Sequence, residues 1–133
     1  MTHNSFKKAN KSAVYLKLAI TGPRGSGKTT AALRLARGLV GDNGRIAVID
    51  TENSSSLLYA DTFDFDVCVV EPPYTEDKFI TAIADAVEGK YDCVIIDSFS
   101  HVWQAENLKA FCRRCFRRNS TSYVVCARRW TTQ

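Results

Sequence analysis

The chain has 133 residues, of which 45% are hydrophobic, and carries a formal net charge of +4. That length fits one folded domain. No window holds the roughly 18 apolar residues a membrane span needs, and the lysine-rich start (Lys7, Lys8, Lys11, Lys17) precedes only a short, interrupted apolar run. A secretory leader and a membrane protein are therefore not expected, and the cytoplasm is the expected location. The charge is unevenly spread: residues 1–106 hold eleven basic and fourteen acidic side chains, whereas 107–133 hold Lys109 and six arginines with no acid. This composition break is the one candidate boundary.

In chain order, residues 1–12 are polar and expected to be loose, and 13–133 are expected to form a single domain with an atypical basic tail from 107. The β-rich run 14–21 ends at Gly22. A helix is predicted from Lys28, with Ala32, Leu35, Ala36, Leu39 and Val40 as its apolar face and Gly41 as its stop. Residues 45–50 and 66–71 read as buried strands, the second closed by Pro72-Pro73. Thr75 is placed to cap the next helix, with Glu76 and Asp77 in its first turn, Phe79, Ile80, Ile83 and Val87 as its stripe, and Gly89 at its end. Residues 91–98 form a fourth strand. In the tail, Leu108, Phe111, Cys112, Cys115 and Phe116 have helical spacing, and 122–127 reads as a fifth strand.

Apolar strands separated by helices indicate an α/β fold, a parallel sheet of about five strands with helices on both faces. Ligands then belong at the carboxyl ends of the strands. Gly22, Asp50, Glu52 and Asp97 all fall at such ends. Of the five cysteines, Cys68 and Cys93 sit inside strands and read as buried small hydrophobes. Cys112-x-x-Cys115 has neither a second pair nor a nearby histidine, so a zinc site is not expected.

Gly22-Pro23-Arg24-Gly25-Ser26-Gly27-Lys28-Thr29 fits the phosphate-loop pattern G-x-x-x-x-G-K-[ST] in full. Glycines let backbone N–H groups turn toward phosphate oxygens, and the helix that follows adds unpaired N–H groups and a favourable dipole. Lys28 supplies a cation for the β- and γ-phosphates, and the Thr29 hydroxyl is a ligand for Mg²⁺. Thr30 completes the expected nucleotide-binding stretch. Asp97 ends the run Val94-Ile95-Ile96, where a carboxylate can hold Mg²⁺ through water. Glu52, just past the strand 45–50, is placed to orient and deprotonate an attacking water, with a solvated loop acid as the alternative.

The stretches GRIAVIDTENSSSLLYA and YDCVIIDS, in that order behind the phosphate loop, resemble the RecA-like branch of the P-loop ATPases, and most closely the ATP-binding proteins of phages and prophages. The resemblance runs from about Tyr15 to Trp103. It implies ATP as the nucleotide and Mg²⁺ as cofactor, with Lys28 and Glu52 as catalytic residues and Thr29 and Asp97 at the metal. It also implies a role in phage DNA recombination or replication, with single-stranded DNA, other phage recombination or replication proteins and further copies of the chain as partners. No N-K-x-D run favours guanine.

Members of that branch are usually longer, and the acid-free tail departs from them. A truncated or frame-disrupted gene and a short member with a DNA-contacting helix both account for it. Two other functions stay open: a module that holds ATP without turning it over, and a nucleic-acid binder that acts through the tail. A small-molecule kinase is the weaker rival, since no acceptor site is marked. His101 reads as a surface or packing histidine before a nucleotide sensor. Trp103, Phe111 and Phe116 read as core before base-stacking platforms. Arg128 or Arg129 could reach a neighbouring subunit's phosphate.

Overall fold

The computed structural model describes residues 16–104 and 122–127. In chain order the elements are β1 (Leu16–Thr21), α1 (Lys28–Val40), β2 (Ile46–Asp50), a 3-10 turn (Ser55–Tyr59), β3 (Asp66–Val69), α2 (Glu76–Glu88), β4 (Cys93–Asp97), α3 (Phe99–Gln104) and β5 (Ser122–Ala127). The five strands form one sheet in the order β1-β5-β4-β2-β3. β2 pairs in parallel with β3 on one side and β4 on the other. β5 is antiparallel to both of its neighbours, β1 and β4. Strands β1 to β4 thus share one direction, and the tail's strand is inserted among them reversed. Its position matches the predicted run 122–127, but an apolar run carries no direction, so the reversal was not readable. The predicted tail helix around 108–116, Arg128 and Arg129 lie outside the described residues.

The core follows from the period-two alternation of buried strands. Ile46, Val48, Cys93 and Ile95 point to one face and pack on Ala32, Leu33 and Ala36 of α1. Ile49, Ile96 and Val70 point to the other face and meet Phe79 and Ala82 of α2. Helices therefore cover both faces, as an α/β sheet requires. Two helix faces differ from those expected. On α1, Leu33 is buried and Leu35 is 44% exposed. On α2, Phe79, Ala82 and Ala86 are buried, whereas Ile80 and Val87 are 54% and 58% exposed. In both helices alanines face the sheet, because a small residue lets the helix approach the strands closely, and larger side chains one position away turn to solvent. Cys93 is buried but Cys68 is exposed, a correction that follows from β3 being an edge strand.

The ends of the helices set the loops. α1 stops at Gly41, whose φ of 74° is left-handed and whose N–H donates to Arg37 O. The Arg37 guanidinium then donates to the carbonyls of Gly41, Gly44 and Asp64, at 2.9, 2.8 and 2.5 Å, which ties the α1–β2 turn to the segment before β3. α2 begins after Thr75 as predicted, but the Thr75 side chain makes no capping bond, and Glu76 and Asp77 face the helix dipole instead. At the opposite end of the sheet from the strand termini, Arg45 lies 4.1 Å over the Tyr91 ring and pairs with Asp66 at 3.3 Å. Tyr91 Oη donates to Asp66 at 2.7 Å. That hydrogen bond, helped by Arg45, holds the Asp66 carboxyl below its ordinary range, and the same bond raises the Tyr91 phenol.

Candidate nucleotide site

The loop 22–27 leaves the carboxyl end of β1 and enters α1. Gly25 and Gly27 have φ of 79° and 82°, a left-handed backbone that other L-residues reach only with strain. Gly22 lets Ser26 approach closely, since a Cβ there would stand 2.8 Å from Ser26 Oγ and the Ser26 side chain would have to turn away. Pro23, Arg24, Gly25, Ser26 and Gly27 are exposed, so the loop opens to solvent, while Lys28, Thr29 and Thr30 are half-buried in the first turn of α1. That turn contains no acidic residue of its own, so its N–H groups and dipole add positive character to the loop. Lys28 Nζ donates to Pro23 O at 2.8 Å, which lays the ammonium across the loop.

Thr29 Oγ1 donates to Asp97 Oδ2 at 2.7 Å. Asp97 is 1% exposed at the end of β4. Two predicted site residues 68 positions apart in sequence are thus in direct contact. A hydroxyl and a carboxylate are hard oxygen donors of the kind Mg²⁺ takes, usually with the remaining positions filled by water and phosphate. The pair fits that ion. Among the described residues no cluster of three or more His, Cys, Asp or Glu side chains suggests another metal.

Glu52 is exposed, two residues beyond the end of β2. It is placed through its backbone. The fully buried Asp50 accepts from Glu52 N at 2.7 Å, from Ser56 N at 2.8 Å and from Ser56 Oγ at 2.5 Å. Asn53 and Ser54 supply the reversal with φ of 54° and 63°. Such left-handed residues cost about 1–3 kcal/mol each and persist where the surroundings impose them; here the Asp50 carboxylate gathers the amides on both sides of the turn. Asp50 is also the register partner of Asp97, and Thr51 N donates to Asp97 O at 2.7 Å. The segments bearing Glu52 and Asp97 are therefore held side by side.

Thr51, Tyr74 and His101 complete this region. Thr51 is 2% exposed. Its Oγ1 lies 3.0 Å from Ser98 N, 3.1 Å from Ser98 O and 2.8 Å from His101 Nδ1. Tyr74 Oη donates to Thr51 O at 3.0 Å, and the Tyr74 and His101 rings stack with centroids 4.3 Å apart. His101 is thus a packed, hydrogen-bonded side chain, in line with the packing role expected of it. Asp50, Ser56, Thr51 and Tyr74 had no role assigned from sequence. A strand-ending Asp before an Asn/Ser-rich turn was the available signal for the first two. A separate groove of about 450 Å³ between β3 and α2, lined by Cys68, Glu71, Asp77, Lys78 and Asp85 among others, contains none of the predicted site residues.

A family model described as "AAA domain" matches residues 15–114. Among curated proteins, the chain is 36% identical over 84 residues to "Protein RecA" of Ruminococcus albus, covering 61% of this chain and 21% of that protein. It is 37% identical over 82 residues to "Protein RecA" of Nautilia profundicola, covering 59% and 23%. The chain spans about a fifth to a quarter of the length of these relatives. No solved structure matches it significantly. No helix among the described residues is long and apolar enough to cross a membrane.

Proposed function

The chain belongs to the AAA domain family, and on that premise we propose that it binds ATP with Mg²⁺ at residues 22–30 and hydrolyses it, with Glu52 as general base. The observation that carries this reading is the 2.7 Å contact between Thr29 Oγ1 and Asp97 Oδ2, which joins the phosphate loop to the end of β4. In the proposed reaction the loop amides, Lys28 and the start of α1 bind and orient the triphosphate. Thr29 and Asp97 would hold Mg²⁺, which supplies charge neutralisation on the phosphates when bound. Glu52 accepts a proton from water as its oxygen attacks the γ-phosphorus. The bond to the β–γ bridging oxygen breaks, ADP leaves with the electron pair, and Glu52 returns the proton to solvent. Positioning and electrostatics carry most of the acceleration in such chemistry.

We place this activity in the recombination or replication of phage DNA. The support is the resemblance to phage RecA-like ATPases, the RecA relatives and the basic segment 107–133. Single-stranded DNA, other phage recombination or replication proteins and further copies of the chain are the proposed partners, and the cytoplasm the proposed location. A holder that binds ATP without turnover is the second reading; the exposed, solvent-facing Glu52 favours it.

The deciding experiment measures Mg²⁺-dependent ATP turnover, with and without single-stranded DNA, on wild type, Lys28→Ala and Glu52→Gln, with ATP binding measured in the same samples. Turnover in wild type, abolished in a Glu52→Gln variant that still binds, is the expected result. Lys28-dependent binding with no turnover would leave the holder.

A further inference from the structure

We propose that the stacked pair Tyr74–His101 is a positioning device for Glu52, acting through Thr51. The inference rests on the hydrolysis reading and extends it to residues outside the phosphate loop and the strand-end acids.

Glu52 faces solvent, so packing does not fix its side chain, and a general base must be held within reach of one water. Its handle is the backbone. The peptide joining Thr51 to Glu52 is gripped at both ends: its N–H donates to Asp50 at 2.7 Å, and its carbonyl accepts from Tyr74 Oη at 3.0 Å. A peptide fixed at both polar atoms cannot rotate, so the Cα of Glu52 is set in position and direction. Asp50 reaches it from within β2, and Tyr74 from the segment before α2.

The Thr51 side chain is held as firmly. Its hydroxyl has one proton to give and lone pairs to receive. Ser98 O only accepts and Ser98 N only donates. If the hydroxyl proton goes to Ser98 O, His101 Nδ1 at 2.8 Å must donate. If it goes to Nδ1 instead, the imidazole accepts there and carries its proton on Nε2; in both arrangements His101 Nδ1 holds the Thr51 hydroxyl. His101 then stacks at 4.3 Å on Tyr74, so the two groups that grip Thr51 brace each other. Because His101 stands on α3, four residues beyond Asp97, the device also links the Glu52 segment to the helix that follows the Asp97 strand. Such a shell of supporting bonds is what keeps an exposed catalytic group in one geometry.

The test uses the 133-residue chain with Tyr74→Phe, His101→Ala and His101→Asn. Tyr74→Phe keeps the ring stack and removes only the bond to Thr51 O. Asn can present an N–H near the Nδ1 position. Tyr74→Phe and His101→Ala are expected to lower kcat about tenfold or more with KM for ATP within about twofold, and His101→Asn to recover most of the loss. Hydrogen exchange at the Glu52 amide, read by NMR, should quicken at least about tenfold in Tyr74→Phe even if His101→Ala fails to fold. An unchanged kcat in Tyr74→Phe, or an unchanged Glu52 amide, overturns the inference while leaving the hydrolysis reading intact. A wild type that never hydrolyses ATP overturns the hydrolysis reading, and this inference with it.

Discussion

Replacing Asp50 by Asn tests whether the Glu52 turn is held by a carboxylate. Asp50 is fully buried and accepts three hydrogen bonds, one on Oδ1 and two on Oδ2. Asn has nearly the same shape but one acceptor oxygen and one NH₂ donor. Whichever way the amide is turned, its NH₂ meets a backbone N–H, of Glu52 or of Ser56. One buried donor is left unpaired, which costs about 1–3 kcal/mol, and the remaining bonds lose their ionic character. The sum is roughly 2–4 kcal/mol. A domain whose whole stability is on the order of 5–15 kcal/mol loses a large share of it. For a chain of this size the melting temperature should fall by roughly 10 °C. The assay is thermal unfolding followed by circular dichroism, with Glu52→Gln as control. Glu52 is exposed, so the control should melt within about 2 °C of wild type, as surface substitutions do. An Asp50→Asn protein that also melts within that margin would refute the account of the turn.

Two further expectations follow from other parts of the molecule. Cys68 is exposed on the edge strand and Cys93 is buried, so Cys68→Ser should remove one fast-reacting thiol from the native protein, whereas Cys93→Ser should change only the count after unfolding; a Cys68→Ser protein with an unaltered fast count would show that β3 is covered. The Asp66 carboxyl is lowered by its bond to Tyr91, so its contribution to stability is present above the ordinary carboxylate range and fades as pH falls through the lowered value; the raised Tyr91 phenol contributes below the ordinary phenol range and fades as pH rises through the raised value. Tyr91→Phe should therefore cost stability across the neutral range and lose less than wild type on further acidification or alkalinisation, as read from urea midpoints at several pH values.

The elements from β1 to β4 were legible because buried strands and helices leave strong periodic signals and because glycines mark their ends. Gly41 and Gly89 stop the helices where expected. The same pattern could not say which of two neighbouring apolar residues faces inward. Leu33 and Leu35 differ by two positions on one helix, and only packing against Val48 and Ile95 decides between them. The phosphate-loop pattern and the strand-end Asp97 stood out as candidates because the proposed chemistry calls for those residue types at those places. The bond between them and the Thr51 grip were not, since each joins segments distant in sequence; the Asp50 turn spans only two to six positions, and a strand-ending Asp before an Asn/Ser-rich stretch is its local signal. The hydrogen bond from Tyr74 to Thr51, across 23 positions, leaves no mark on local composition.

The reversed strand changes how the basic tail must be tested. Removing everything after Asn107 and measuring DNA binding looks like the direct experiment on its arginines. Yet β5 lies between β1 and β4, with six register pairs to one and four to the other. Among the described residues β1 has no other strand beside it. β1 feeds the phosphate loop and β4 ends at Asp97, so the two strands that carry the halves of the candidate site are joined in the sheet through β5, which comes from the tail. Each backbone bond contributes only about 0.5–1.5 kcal/mol net, but losing two ladders together approaches the whole stability of a small domain. A chain ending at Asn107 is therefore expected to lose its cooperative thermal transition and its ATP binding together, whatever its arginines do. The tail's charge is better tested by changing Arg113, Arg114, Arg117 and Arg118 to Gln, which leaves residues 122–127 in place. If these arginines neutralise phosphates of single-stranded DNA, the slope of log affinity against log salt should flatten by roughly 0.7 for each phosphate the variant leaves unneutralised. A cooperatively folded, ATP-binding chain ending at Asn107 would show that β5 does not hold the sheet together.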